Sequence, residues 1–270
     1  MKTAKSKVPS IPIPELRGSI QNLKYPVLAE VKLDGEFNFL VYTPSHTFLI
    51  NKYGTVRQDF PALNDIQKIL DDSAGGSTML VCEVYWDEGK LHDIYKLNSN
   101  KKGDATKICV FDCVAWNGDL RREDLLTRLE ALHSLGVGHL TPKSIIAEDD
   151  RALGDYFAEI VNEGYEGIVA KPLDGIFPAG PCPWSKLKKK DQNDCIVGLI
   201  DPVKERIEIV YISPDPSDAT KIRTVPVGVK APNKYKSHIK VGSVVTIEHQ
   251  GVLPSGSLRH PVLIPKGEWK

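Results

Sequence analysis

The chain has 270 residues, 35 basic against 35 acidic side chains, 41% hydrophobic residues and 7% aromatic ones, enough to bury about three-quarters of its unfolded surface without disulfide or metal staples. No apolar run approaches the roughly 18 residues of a membrane helix, and no apolar stretch follows the basic start MKTAKSKVPS as in a secretory signal. Cys82, Cys109, Cys113, Cys182 and Cys195 show neither CxxC nor zinc spacing, so the expectation is a cytoplasmic protein with reduced, mostly buried thiols.

In chain order, residues 1–24 carry a net charge of +4 and are expected to form a basic N-terminal arm packing on a first domain. LAEVKL (28–33), FNFLVY (37–42) and TFLINK (47–52) are β-rich runs separated by turn residues, as in an antiparallel meander. PALNDIQKILDD (61–72) predicts a helix with Leu63, Ile66, Ile69 and Leu70 on one face and its cap near Asp59. TMLVCEVYW (78–86) and KICVFDCVAW (107–116) predict buried strands. RREDLLTRLEALHSLG (121–136) and DDRALGDYFAEIVNEG (149–164) predict amphipathic helices, each stopped by glycine.

The texture changes after Asp191. CIVGLI (195–200), RIEIVYI (206–212), KIRTVPVGV (221–229), VVTIEHQGVL (244–253) and PVLI (261–264) are short β runs, with KYKSHI (234–239) as one helical turn. About five strands in roughly 80 residues suit a small barrel such as the OB fold. KKKDQND (188–194), polar and without apolar periodicity, is the expected hinge. The net charge is −7 over 25–191 and +3 over 192–270, so basic ends flank an acidic middle inside a neutral total. Exposed charge of this kind is usually a solvated face.

Chemistry concentrates first in Glu30-Val31-Lys32-Leu33-Asp34-Gly35, a lysine at a strand end before a tight Asp-Gly turn. A neutral lysine amine is a strong nucleophile, but an ordinary pKa near 10.4 keeps it protonated. Alone, this could be a surface lysine before a turn. It is followed in order by Asn51-Lys52-Tyr53-Gly54, Glu83 inside an apolar strand, Phe111-Asp112, Glu166-Gly167-Ile168-Val169-Ala170-Lys171 and Trp184-Ser185-Lys186-Leu187-Lys188.

This ordered series resembles the covalent nucleotidyltransferases, the superfamily of ATP-dependent DNA ligases, RNA ligases and capping enzymes, and most of all the small ATP-dependent DNA ligases. The resemblance runs from about Pro26 to Pro261. It implies an α+β architecture: a nucleotidyltransferase (adenylation) domain of antiparallel sheets and helices over 25–190, then an all-β OB-fold domain over 191–270. It implies that Lys32 is the nucleophile that takes AMP from ATP, that Asp34 lies near the metal and the nick, and that Glu30 reads the adenine edge. By the same likeness Lys52 is directed at phosphate, Glu83 touches the ribose or metal, Phe111 stacks on adenine and Glu166 serves the metal. Lys186 and Lys188 would hold the α-phosphate. The implied cofactors are ATP, as substrate, and Mg²⁺ or Mn²⁺; the implied partner of this monomer is nicked duplex DNA, touched through Lys52 and Arg259 of the Gly256–Pro261 segment.

The residue types agree with these roles. Strand alternation puts Glu30 with Lys32, and Lys186 with Lys188, on common faces. Two cations suit a phosphate under attack and should depress the Lys32 pKa by repulsion. Glu83 and Glu166 are hard oxygen ligands suited to Mg²⁺. Three departures stand out: Phe37 occupies the place of the family's usual arginine, Lys52 replaces arginine and loses its bidentate fork, and the family's last basic motif would fall where the chain ends, so that either Lys266 and Lys270 substitute for it or the element is reduced. An RNA ligase of the same superfamily and a catalytically degenerate nucleic-acid-binding relative are the alternatives.

Overall fold

The structure, a computed structural model, describes residues 13–58, 60–90, 93, 106–201, 203–204, 206–215, 218–230, 239–253 and 255–264, with side chains undescribed at 212–215 and 218–223. Lys2, Lys5 and Lys7 of the arm, the cap expected at Asp59, the helical turn over 234–238, and Lys266 and Lys270 lie outside those residues. Among the described residues no helix is long and apolar enough to cross a membrane. All five cysteines are buried and free.

Contacts divide the chain into two compact units, Met1–Leu187 and Lys188–Lys270. The first holds two five-stranded sheets. One runs in the order β1 (Pro14–Arg17), β10 (Gly180–Lys188), β9 (Gly167–Pro172), β2 (Val27–Lys32) and β8 (Ser144–Ala147). Its β2 is antiparallel to both neighbours, whereas β1 lies parallel to β10. The other runs β5 (Val56–Arg57), β4 (His46–Asn51), β3 (Glu36–Thr43), β6 (Thr78–Trp86) and β7 (Thr106–Trp116), antiparallel throughout.

Helices α1 (Pro61–Ser73), α2 (Leu125–Ser134) and α3 (Asp150–Asn162) cover the outer faces. Leu63, Ile66 and Leu70 of α1 and Leu132 of α2 join Leu40, Leu49, Leu80 and Val110 in the core of the second sheet. Leu153, Tyr156 and Ile160 of α3 pack on Val27, Ala29, Ile168 and Ala170 of the first sheet. The inner faces meet in a third cluster, where Phe39, Val81 and Val114 touch Cys182 and Trp184. Period-two alternation leaves Glu30 and Lys32 on the inner face of β2, opposite the residues that pack on α3.

Three expectations about elements change. The runs at 28–33, 37–42 and 47–52 do not form one meander: β2 pairs with β8 and β9, and only β3 and β4 form a hairpin. The Asp34-Gly35 turn instead carries the chain from one sheet to the other. The helix expected from 121 begins at Leu125, because the Asp124 side chain accepts from the Thr127 N–H at 2.8 Å while Arg121 folds back onto Asp119. The expected hinge is mostly strand, since β10 reaches Lys188 and β11 starts at Asp191. Its polar residues are used locally: Asn193 bonds His249 at 2.5 Å and Asp194 accepts from Thr246 at 2.6 Å. Strands β1, β5 and β8 had no clear periodic signal, being two to four residues long.

The second unit is one antiparallel sheet in the order β13 (Asp218–Lys230), β12 (Arg206–Asp215), β11 (Asp191–Asp201), β14 (Val244–His249) and β15 (Val262–Ile264). Cys195, Val197, Ile207, Ile209, Val227, Val245 and Ile247 form its core.

Candidate active site

Between the inner faces of the first unit lies a cleft of about 330 Å³. Glu30 and Lys32 enter it from β2, Val169 and Lys171 from β9, and Trp184 from β10. The second sheet contributes Phe37, Glu83, Cys109 and Phe111. Alternation explains the set, because Val110 and Cys82, one residue away from Phe111 and Glu83, point into the core under α1 and α2.

Lys32 is the centre of charge. Its Nζ donates to Glu166 Oε2 at 2.7 Å, with Lys32 about one-fifth exposed and Glu166 2% exposed. Burial acts to lower the Lys32 pKa, but Glu166, Glu83 and Asp34 together outweigh it and leave the amine raised above its ordinary value. The depression expected from Lys186 and Lys188 is therefore not found, because the dominant neighbours of Lys32 are carboxylates. Glu83 is pushed up to about 7, chiefly by burial, with Lys32 and the Gly35 N–H pulling the other way.

Gly35 shows why the turn reads Asp-Gly. A Cβ there would collide with the Val84 carbonyl oxygen and stand 2.8 Å from Cγ of Glu83. The backbone passes directly over β6, and this close approach brings Glu83 to Lys32. Asp34 is 4% exposed, and its N–H donates to the Gly89 carbonyl at 2.9 Å. It acts on Lys32 electrostatically but does not line the cleft.

Lys52 lines the cleft from the turn after β4, with its amine 5.0 Å from the Tyr53 ring centroid. Asn51 shapes that turn by accepting from the Tyr53 and Thr55 N–H groups, both at 3.0 Å. Phe111 lies 6.0 Å from Phe37, which meets Phe39 edge-on at 5.3 Å, so the residue in the place of the expected arginine extends an aromatic wall. Lys186 is half-buried on β10 and is not among the cleft residues; Lys188, the last residue of that strand, begins the second unit. Arg259, expected on phosphate, is 7% exposed, and its main chain bonds Gly251 and Gln250.

Sequence reading passed over two groups. Lys171, 1% exposed, forms an ion pair with Glu30. The signal was present in Glu30 itself, since a carboxylate inside an apolar strand requires a partner. Arg128 of α2 is fully buried and grips Asp112 through two bonds of 2.7 and 3.1 Å, beside Phe111. It also donates to the Glu123 and Gly175 carbonyls at 2.6 and 3.0 Å.

No group of three or more His, Cys, Asp or Glu gathers as a metal cage among the described residues. Mg²⁺ commonly uses only one or two carboxylates beside phosphate oxygens and water. Glu83 and Glu166, both acting on Lys32, are the two carboxylates that could supply such a pair.

Residues 13–188 match the ATP dependent DNA ligase domain, and the chain belongs to that family. A protein named "Probable DNA ligase" from Dictyoglomus turgidum is 33% identical over 106 residues, covering 34% of this chain and 18% of that protein. The matched stretch is thus less than a fifth of the curated relative's length. Among solved structures, Pmar-Lig_PreS3 superposes with a TM-score of 0.73 at 18% identity over 96% of this chain and 68% of that one. A mycobacterial DNA ligase D complexed with ATP and MES gives 0.59 at 18% identity, over 96% of each chain. At these identities the two structures establish likeness of fold.

Proposed function

We propose that the protein is an ATP-dependent DNA ligase that seals nicks bearing a 5′-phosphate and a 3′-OH through a lysyl-AMP intermediate. The observation that carries this reading is the seat of Lys32: a strand-end amine in a nucleotide-sized cleft, bonded to Glu166 and facing Glu83, beside the Phe111 aromatic wall. In this reading the chain is an α+β protein, with an adenylation domain up to Leu187 and an OB-fold domain from Lys188, acting as a cytoplasmic monomer on nicked duplex DNA.

Phe111 would stack the adenine and Glu30 would accept from its edge. Lys52 would meet phosphate, and Lys186 and Lys188 would hold the α-phosphate once ATP is bound. Glu83 and Glu166 would hold Mg²⁺, which when bound supplies charge neutralisation at the phosphates. The Lys32 ammonium must lose a proton before it attacks, and Glu166 Oε2 at 2.7 Å is positioned to accept it. The freed amine forms a bond to the α-phosphorus, and the bond to the bridging oxygen breaks as pyrophosphate leaves. AMP then passes to the 5′-phosphate of the nick. The 3′-OH attacks that phosphate and AMP departs. Arg259 would serve the duplex indirectly, by shaping the loop after β14.

Incubation with α-labelled ATP and Mg²⁺ should label the protein, and Lys32→Ala should abolish the label. Label persisting in that variant would show that another residue is the nucleophile. A second reading, an RNA ligase, is favoured by one observation, Phe37 in the place of arginine. Sealing of nicked DNA compared with nicked RNA decides between them.

A further inference from the structure

We propose that Lys171 is a specificity-determining residue: by holding the Glu30 carboxylate as a pure hydrogen-bond acceptor at the cleft, it makes the site select a nucleoside triphosphate whose base carries an amine at position 6 over one carrying a carbonyl there. The proposal rests on the nucleotide-binding reading above and assigns a role to a residue outside it.

The geometry is specific. Glu30 and Lys171 lie on the neighbouring strands β2 and β9, where Glu30 faces Val169 and Leu28 faces Lys171. Both line the cleft, although Glu30 is only 4% and Lys171 1% exposed. The Lys171 ammonium engages Oε2 of Glu30, at the wall of the cleft that both residues line. The ammonium is also confined from other directions. It lies 4.6 Å from the Phe111 ring centroid and 4.7 Å from that of Trp184, and its Nζ donates to the Phe111 carbonyl at 3.3 Å. A lysine held by a carboxylate, two aromatic rings and a carbonyl has no freedom to leave Glu30.

Stability is a weak reason for such a pair, because buried ion pairs can often be replaced by apolar residues without loss. Its position beside the aromatic wall supplies a functional reason. Burial pushes the Glu30 carboxyl up, and Lys171 is the first group acting to bring it back down. With the ammonium in place the carboxylate can only accept, which matches an amine on the base and repels a carbonyl oxygen. Without the ammonium, burial and Asp112 both favour the protonated carboxyl, whose O–H is a donor matched to that carbonyl. Sites built around a buried polar partner discriminate strongly, because the wrong ligand leaves a buried group unmatched.

The test uses the full chain and α-labelled ATP and ITP, which differ at position 6 of the base. The rate of protein labelling is measured for each nucleotide. Lys171→Met should lower the ATP:ITP preference at least tenfold, and Lys171→Arg should keep most of it. A smaller fall in Lys171→Met, with both nucleotides slowed alike, overturns the proposal, since a merely structural role moves both rates together. Should Lys171→Met not fold, Glu30→Gln is compared with the Glu30→Gln, Lys171→Met double variant, which buries no unmatched charge. The two should share one preference within about threefold, because Lys171 acts only through Glu30; a further tenfold change in the double variant overturns the proposal. Wild-type protein that takes label from neither nucleotide overturns the functional reading and this inference with it. Labelled wild type with an unmoved preference in Lys171→Met overturns the inference alone.

Discussion

Glu166, Glu83 and Asp34 surround the Lys32 amine at the end of β2, and their mutual field is testable without substrate. Because the Glu83 carboxyl is raised to about 7 in the folded protein, the native state binds more protons than the unfolded chain between about pH 4.5 and 7, and stability falls as pH rises through that window. Glu83→Gln removes the effect. In metal-free buffer, wild type should lose roughly 1–3 kcal/mol relative to Glu83→Gln between pH 5 and pH 8; parallel urea-melt profiles for the two proteins would contradict it. At the neighbouring turn, Gly35→Ala should cost about 1–3 kcal/mol, since the added methyl must displace the Val84 carbonyl rather than a flexible side chain. The KxDG arrangement was visible in the sequence because residue types alone define it. The Glu30–Lys171 pair was not: 141 positions separate the partners, and only the β2–β9 register brings them together.

At the scale of elements, what was legible followed the strength of the local pattern. Helices α1 and α3 lie within a residue or two of the spans expected, because their apolar periodicity is clear; Asp149 caps α3, whereas α1 starts after Phe60 with Pro61 in its first turn and no side-chain cap. The start of α2 was displaced because charged residues at 121–124 suit either a helix or a turn, and the Asp124 cap decides the matter. Asp124→Ala should therefore cost about 1 kcal/mol by thermal or urea unfolding. Arg128 on the same helix clamps β7 next to Phe111 through Asp112. Arg128→Met leaves the Asp112 carboxylate buried without its cation and should destabilise by roughly 3–5 kcal/mol, whereas Asp112→Asn with Arg128→Met should recover part of that loss. Additive losses in the double variant would mean that the two side chains act separately.

For the whole molecule, the neutral total conceals the +4, −7 and +3 partition. Part of the acidity lies at the cleft in Glu30, Glu83 and Glu166, around Lys32 and not on an outer surface. On the proposed function, duplex binding should weaken with salt along a shallow slope, with fewer than about five phosphate charges neutralised. A log–log titration of nick affinity against salt measures this, and a slope as steep as that of a strongly basic protein would refute it. On the proposed function, chelation of divalent cations should abolish labelling by ATP and leave the melting temperature within a few degrees, because Lys32 and Glu166 pair directly with each other.

The sequence by itself determined the order of chemical groups, the apolar periodicities and the change of texture near residue 190, because each is a local property of residue type and spacing. Only the tertiary structure decided that β2 leaves its neighbour in sequence for β8 and β9, that the polar stretch after Lys188 becomes strand, and that Lys32 is surrounded by carboxylates. Strand pairing and burial are set by partners more than a hundred residues away, and the charge on a buried side chain depends on who those partners are.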